Sequence, residues 1–259
     1  MLSETAGEFE LGDFMEEMRI MKEMGHHERL VNLIGCVSSQ QEPLLIIQYC
    51  ENGDLLHYLI NRRAYMLEMQ EGKAGDTDAV NDDLIVTVNQ QLMFMMQISA
   101  GMEFISGKKY VHRDLAARNV LVDEKNSCKI GDFGLCRHID HTDYIYMSKV
   151  TFNDGQRSWS FGIVIFEIVT LGGSPYASWP AAEILSKLET GERMERPDNS
   201  SDELCDLMTS TWHSDPQERP SFSDLKQRLG TMLEEASQDE YYLLLDPNKD
   251  YYDFERREK

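Results

Sequence analysis

The sequence predicts an α+β fold, a small β portion followed by a mainly helical remainder. Two observations predict it. Short apolar runs at Leu30–Val37 and Leu44–Tyr49 flank the polar turn Ser38–Pro43, the pattern of paired strands. Beyond about Val88 the chain reads as mostly helical as far as Glu235, broken by one strand–turn–strand passage at Tyr110–Phe133. At 259 residues it buries a sizeable core in one large domain or two small ones. Its 41% hydrophobic content is ordinary for a globular protein.

Each element has a local cause. Met1–Asp13 is acidic and polar. Phe14, Met18 and Met21, with Ile20 and Met24, follow helical spacing that stops at Gly25, a helix-ending residue. Gly53-Asp54 opens a short helix, with Asp54 placed to cap it. Ala64–Asp83 lacks periodicity and reads as an exposed insertion at about residues 64–84. A long helix is expected from about Val88 to Ser106. Trp159–Leu171 is the most apolar helical run, but it is short and contains Glu167, so it reads as a buried core helix rather than a membrane span. The tail, Ser237–Lys259, is charged and tyrosine-rich and is expected to be flexible. The division is therefore 1–50, 51–236 and 237–259.

Net charge is −21, a surface that a phosphate backbone repels, so nucleic acid is excluded as a partner. Five scattered cysteines without a CxxC pair point to a reducing compartment and away from a disulfide framework or zinc site. No signal peptide opens the chain, and as written it is expected to be soluble and cytoplasmic.

The most informative run is Tyr110-Val111-His112-Arg113-Asp114-Leu115-Ala116-Ala117-Arg118-Asn119-Val120, followed by Asp132-Phe133-Gly134. It holds an Asp able to accept a hydroxyl proton, and an Asn and a second Asp able to hold magnesium ions. Phosphoryl transfer needs that set, because its catalysis is mostly positioning plus charge neutralisation.

These strings resemble protein kinases, and the Ala117-Arg118 variant is similar to receptor-type tyrosine kinases. Leu171-Gly172-Gly173-Ser174-Pro175-Tyr176, Arg196-Pro197 and Trp212 with Arg219-Pro220 look like C-lobe landmarks of that family. Gly101-Met102-Glu103 and Asp239-Glu240-Tyr241 give a fibroblast-growth-factor-receptor-like flavour, with the platelet-derived and vascular growth factor receptor types nearly as good a match.

The resemblance implies a bilobal kinase fold with a truncated small lobe, using ATP and Mg2+ to phosphorylate protein tyrosine in growth-factor receptor signalling. By position it makes Asp114 the catalytic base, Arg118 the residue that places the substrate tyrosine, and Asn119 and Asp132 the magnesium ligands. Glu17 matches the helix glutamate that pairs with the ATP-binding lysine, or is a solvated carboxylate. Ile47 takes the gatekeeper position, Gln48–Cys50 the hinge, and Leu121 the floor under adenine. Asp54 either reaches the ribose or only caps its helix. Tyr144 and Tyr146 match activation-loop phosphorylation sites, whose phosphate an arginine such as Arg113 would pair with. Tyr241 and Tyr251 are tail acceptors, expected to recruit phosphotyrosine-reading adaptor domains. A receptor dimer and a plasma-membrane parent, with the kinase on the cytoplasmic side, follow from the same likeness.

Several family parts are missing. No glycine-rich loop or V-A-x-K strand precedes Glu17, and Met1-Leu2-Ser3 resemble the segment just after the nucleotide-binding lysine. Between Met147 and Trp159 the chain is shorter than the family by roughly fifteen residues, losing A-P-E and the Asp that braces the catalytic loop. Arg219 is thereby expected to lose its partner, at a cost of at most about 3–5 kcal/mol if it stays buried, or to be reached by solvent instead. The apolar edge Leu44-Leu45-Ile46-Ile47 is expected to be exposed. The reading is an incomplete receptor kinase domain, inactive as it stands and best explained by missing coding sequence. The alternative is a catalytically dead module that docks phosphotyrosine readers.

Overall fold

A computed structural model describes residues 8–39, 42–72, 81–138, 154–236, 243 and 245–252. Helix α1 (Glu8–Met24) buries Met18, Ile20, Met21 and Met24 on one face. It ends at Gly25, whose φ of 74° suits glycine and whose N–H closes on the Met21 carbonyl. Strands β1 (Leu33–Val37) and β2 (Leu44–Ile47) pair antiparallel, with Val37 opposite Leu44 and Cys36 opposite Leu45.

The first strand is shorter than Leu30–Val37 for a local reason. Asn32 turns its amide onto the carbonyls of His27 and Leu30, a local turn that ends regular strand geometry although its own carbonyl still accepts from Gln48 N–H. Leu30 and Val31 instead join the later strand that ends at Ile130. Val31 N–H donates to the Ile130 carbonyl at 2.8 Å, and Ile130 N–H to the Arg29 carbonyl at 2.9 Å. The two halves of the chain are stitched there.

Helix α2 (Leu55–Gln70) is capped by the Asp54 carboxylate, which accepts from His57 N–H. It runs sixteen residues, so the expected short helix is a long one and the expected insertion is helical as far as Gln70. The buried stripe is Leu55, Tyr58, Leu59, Arg63 and Met66, which keeps helical spacing only if Arg63 is counted as buried. Its guanidinium donates to the Leu171 carbonyl at 3.1 Å and lies 4.2 Å over the Tyr252 ring. Residues 73–80 of the expected insertion lie outside the described residues.

Helix α3 (Val88–Gly107) is capped by Thr87 and buried along its length. A Cβ at Gly101 would meet Ile130 Cδ1 at 2.8 Å and the Arg29 carbonyl at 3.0 Å, so glycine allows the helix to approach the sheet. Strand β3 (Tyr110–Val111) pairs with β6 (Arg137–His138), and β4 (Val120–Val122) with β5 (Cys128–Ile130).

Helix α4 (Asp154–Val169) places Phe161, Val164, Ile165, Ile168 and Val169 in the core. Around it stand α5 (Ile184–Glu189), α6 (Asp202–Thr211) and α7 (Phe222–Glu235). The last opens with a Ser221–Asp224 capping box. It pairs with α3 through Lys226 and Glu103.

The expected flexible tail is packed where it is described. Leu243 and Leu245 are buried, and Tyr251 packs on the core. Among the described residues no helix is long and apolar enough to cross a membrane.

Candidate active site

The loop from β3 to β4 carries the predicted cluster. His112 is buried, its Nε2 lies 2.9 Å from the Gly131 carbonyl oxygen, and its ring meets Phe133 edge-on at 5.6 Å. Burial holds its pKa below the ordinary histidine value, so near neutral pH it is an uncharged brace. Arg113 and Asp132 adopt φ of 70° and 57°, left-handed conformations that non-glycine residues keep only where surrounding structure enforces them.

Asp114 is fixed on both carboxylate oxygens. Arg118 Nη2 donates to Oδ1 at 2.5 Å, and Asn119 Nδ2 to Oδ2 at 2.9 Å. The same amide nitrogen also donates to the Asp114 carbonyl at 2.7 Å. Gly131 N–H donates to the Asn119 carbonyl at 2.8 Å, so the β4–β5 pairing sets Asn119 against the turn that bears Asp132.

The brace beneath this loop was not legible from motifs. The Asp expected to brace the loop is missing from the sequence, yet Ala117 N–H donates at 2.8 Å to Oε2 of Glu167, a carboxylate buried on α4. The available signal was Glu167 itself, an acid inside the most apolar helical run.

A cleft of about 100 Å³ joins Glu17, Ile47, Arg118, Asn119, Leu121 and Asp132. Met21, Val31, Leu45, Gly131 and Phe133 complete its wall, none of which motif reading had singled out for it. Glu17 lines the cleft, and no lysine is among the described lining residues. Its carboxylate accepts from the Phe133 backbone, while burial first and the neighbouring Asp132 second push its pKa up. Among the described lining residues Arg118 is the cation, and it is committed to Asp114.

Asp114 is not among the lining residues, and three of the positions expected to meet the nucleotide also lie off this cleft. Gln48 uses its N–H on the Asn32 carbonyl at 2.9 Å and its side-chain oxygen on the Asn32 amide at 3.1 Å. Cys50 is buried, its thiol pushed up by burial. Asp54 is engaged as the α2 cap and with His57 Nδ1 at 2.8 Å, the second of its two readings. Tyr144, Tyr146 and Tyr241 lie outside the described residues.

Of the two courses expected for Arg219, the structure shows the solvent-reached one. Arg219 Nε donates to the His213 carbonyl at 2.7 Å, and its guanidinium stacks 5.0 Å from the Trp159 ring centre. Burial, then Arg193, hold its pKa down. The residue is half-buried and hydrogen-bonded, so the cost of an isolated buried charge does not apply.

Comparison with known proteins agrees with this geometry. A family model described as protein tyrosine and serine/threonine kinase matches residues 1–229. The tyrosine-protein kinase receptor torso of Bombyx mori is 36% identical over 286 aligned residues, covering 94% of this chain and 35% of the relative. Fibroblast growth factor receptor 1 of Xenopus laevis is 36% identical over 267, covering 97% and 32%. The same receptor from Pleurodeles waltl gives the same identity and coverage. The chain thus spans about a third of the length of these relatives. With a kinase catalytic loop held on a kinase C-lobe and a family match over most of its length, the chain belongs to the protein tyrosine and serine/threonine kinase family.

Proposed function

We propose that this chain carries the catalytic-loop half of a receptor protein tyrosine kinase, whose reaction moves the γ-phosphoryl of ATP to a tyrosine hydroxyl. The observation that carries the reading is Asp114 held by Arg118 and Asn119, two residues that line one cleft together with Asp132. Asp114, oriented from both sides, accepts the hydroxyl proton. Arg118 holds that carboxylate in place and presents its guanidinium toward the incoming tyrosine. Asn119 and Asp132 supply the hard oxygen donors that suit Mg2+. The Asn119 amide nitrogen is committed to Asp114, which leaves its amide oxygen for a cation.

The cleft fits a nucleotide less well than it fits a metal ion. At about 100 Å³ it is smaller than the roughly 300–1,000 Å³ of ordinary ligand pockets. Glu17, turned to the Phe133 backbone, stands beside Asp132 with no lysine among the described lining residues. We therefore assign the 259-residue polypeptide by itself weak nucleotide affinity. The parent is read as a plasma-membrane receptor with this domain on the cytoplasmic side, acting on protein tyrosine, dimerising, and recruiting phosphotyrosine-reading adaptors.

The test is a chimera in which a relative's glycine-rich loop, lysine strand and A-P-E segment are added to this chain. Phosphorylation of a tyrosine peptide is expected to appear, and Asp114→Asn to lower its rate by about 10²–10⁴-fold. A chimera that folds yet modifies only serine, or is indifferent to Asp114→Asn, sinks the reading.

A further inference from the structure

The segment that ends at Tyr252 lies across the C-lobe like a strap. At one end Gln70, the last residue of α2, holds it by both amide atoms. Gln70 Nε2 donates to the Leu243 carbonyl at 2.9 Å, and Leu245 N–H donates to Gln70 Oε1 at 3.3 Å. In the middle Lys249 pairs with Asp198 at 2.5 Å. At the other end Ser174 N–H donates to the Tyr251 carbonyl at 2.7 Å. The Tyr251 ring meets Phe166 edge-on at 5.8 Å, while Tyr252 lies under Arg63.

A kinase acts on a tyrosine presented in an accessible chain segment. Tyr251 instead sits in a short helical turn, Asp250–Tyr252, with its ring against α4. A negative charge on its oxygen is poorly received there. Burial is the main cause, followed by the carboxylates of Asp198 and Asp246, and together they push the hydroxyl pKa up to about 12. Arg63 opposes this with the smallest effect.

We propose that residues 243 and 245–252 form a reversible strap that holds the half-buried Tyr251 ring against Phe166 and out of an extended, kinase-ready conformation, and that phosphorylation of Tyr251 in the lifted state keeps the strap from seating again. The step exchanges the Tyr251 O–H bond for an O–P bond. The γ-phosphoryl comes from ATP, ADP leaves, and the proton passes to the base of the tyrosine kinase that acts. The added charge, about −1.5 to −2, then faces Asp198 and Asp246 on reseating, and like charges repel. The uncovered surface, including Phe166 and the Ser174 N–H, becomes available. This stands apart from the chain's own catalysis, because the acting kinase is supplied from outside.

The test treats the whole 259-residue chain with a purified tyrosine kinase and Mg-ATP, and follows each site by mass spectrometry. A synthetic peptide spanning residues 243–259 gives the unrestrained rate, and Tyr49, 81% exposed, reports on the folded chain. Tyr251 in the chain is expected to react at least about tenfold slower than in the peptide. Gln70→Ala and Lys249→Ala are expected to raise it severalfold without changing Tyr49. In the chain phosphorylated at Tyr251, hydrogen exchange at the Ser174 amide is expected to accelerate by about tenfold or more. Equal rates in chain and peptide, no response to either variant, or a Ser174 amide that stays protected after phosphorylation would each overturn the proposal. Both substitutions are at the strap's surface contacts, and an unchanged melting temperature for the remainder separates release from unfolding.

Discussion

The β1–β2 hairpin and the α3–α4–α7 core both carry large apolar side chains, yet these end in opposite environments. In the core, Phe94, Ile98, Phe161 and Ile165 are sealed from water, and buried polar groups such as Gln91 find backbone partners. In the hairpin, Ile34 is 69% exposed, and Val37, Ile46 and Tyr49 also face out. What separates the two sets of apolar side chains is how much structure covers each surface. A two-stranded unit has one neighbour at most on each face and is marginal by itself.

Substitutions can break that contrast, beginning with the core. Phe94→Ala is expected to cost about 3–5 kcal/mol, a large share of a typical domain's stability, read as a fall in the urea midpoint. An effect below about 1 kcal/mol would mean the core is no better packed than the hairpin. Next comes the brace under the catalytic loop. Glu167→Ala leaves the Ala117 N–H without its acceptor and is expected to cost about 1–3 kcal/mol, with faster hydrogen exchange at Ala117.

Glu17 gives a smaller effect of opposite sign. Its folded-state pKa is raised, so the stability it contributes is present below the ordinary value of 4.5 and is lost as pH rises through the raised value. Glu17→Gln is expected to stabilise the chain at pH 7.5 by less than about 1 kcal/mol and to change nothing near pH 4. A destabilised variant at pH 7.5 would contradict the crowding of Glu17 against Asp132. Smallest in stability is Ile46→Lys on the hairpin, expected within about 0.5 kcal/mol. Its readout is light scattering, where self-association should fall although melting does not move.

Sequence pattern and structure agree where the cause is local. The α1 stripe and its Gly25 stop, the Asp54 cap, and the long α3 all follow from spacing and capping chemistry. The cluster around Asp114 was legible because motif spacing encodes a loop geometry. What escaped depends on partners far along the chain. Arg63 hides the continuation of α2, because a charge on a buried stripe looks like the end of the stripe until Tyr252 is in place 4.2 Å away. Glu167 reaches Ala117 across fifty residues, and Gln70 reaches Leu243 across 173, separations that no short-range pattern encodes. Arg219 shows the converse. The resemblance implies a carboxylate partner for it, and the structure gives it a carbonyl and an indole face.

The uncovered hairpin also has a bearing on the fate of the molecule in a cell. Chaperones and proteases sample exposed apolar strands, and abundance follows how often such a strand is engaged before it finds a cover. In this chain Ile34, Val37 and Ile46 are the strand side chains left open to that sampling. Hiding them is expected to lengthen the half-life in a pulse-chase measurement, in addition to whatever core stability contributes.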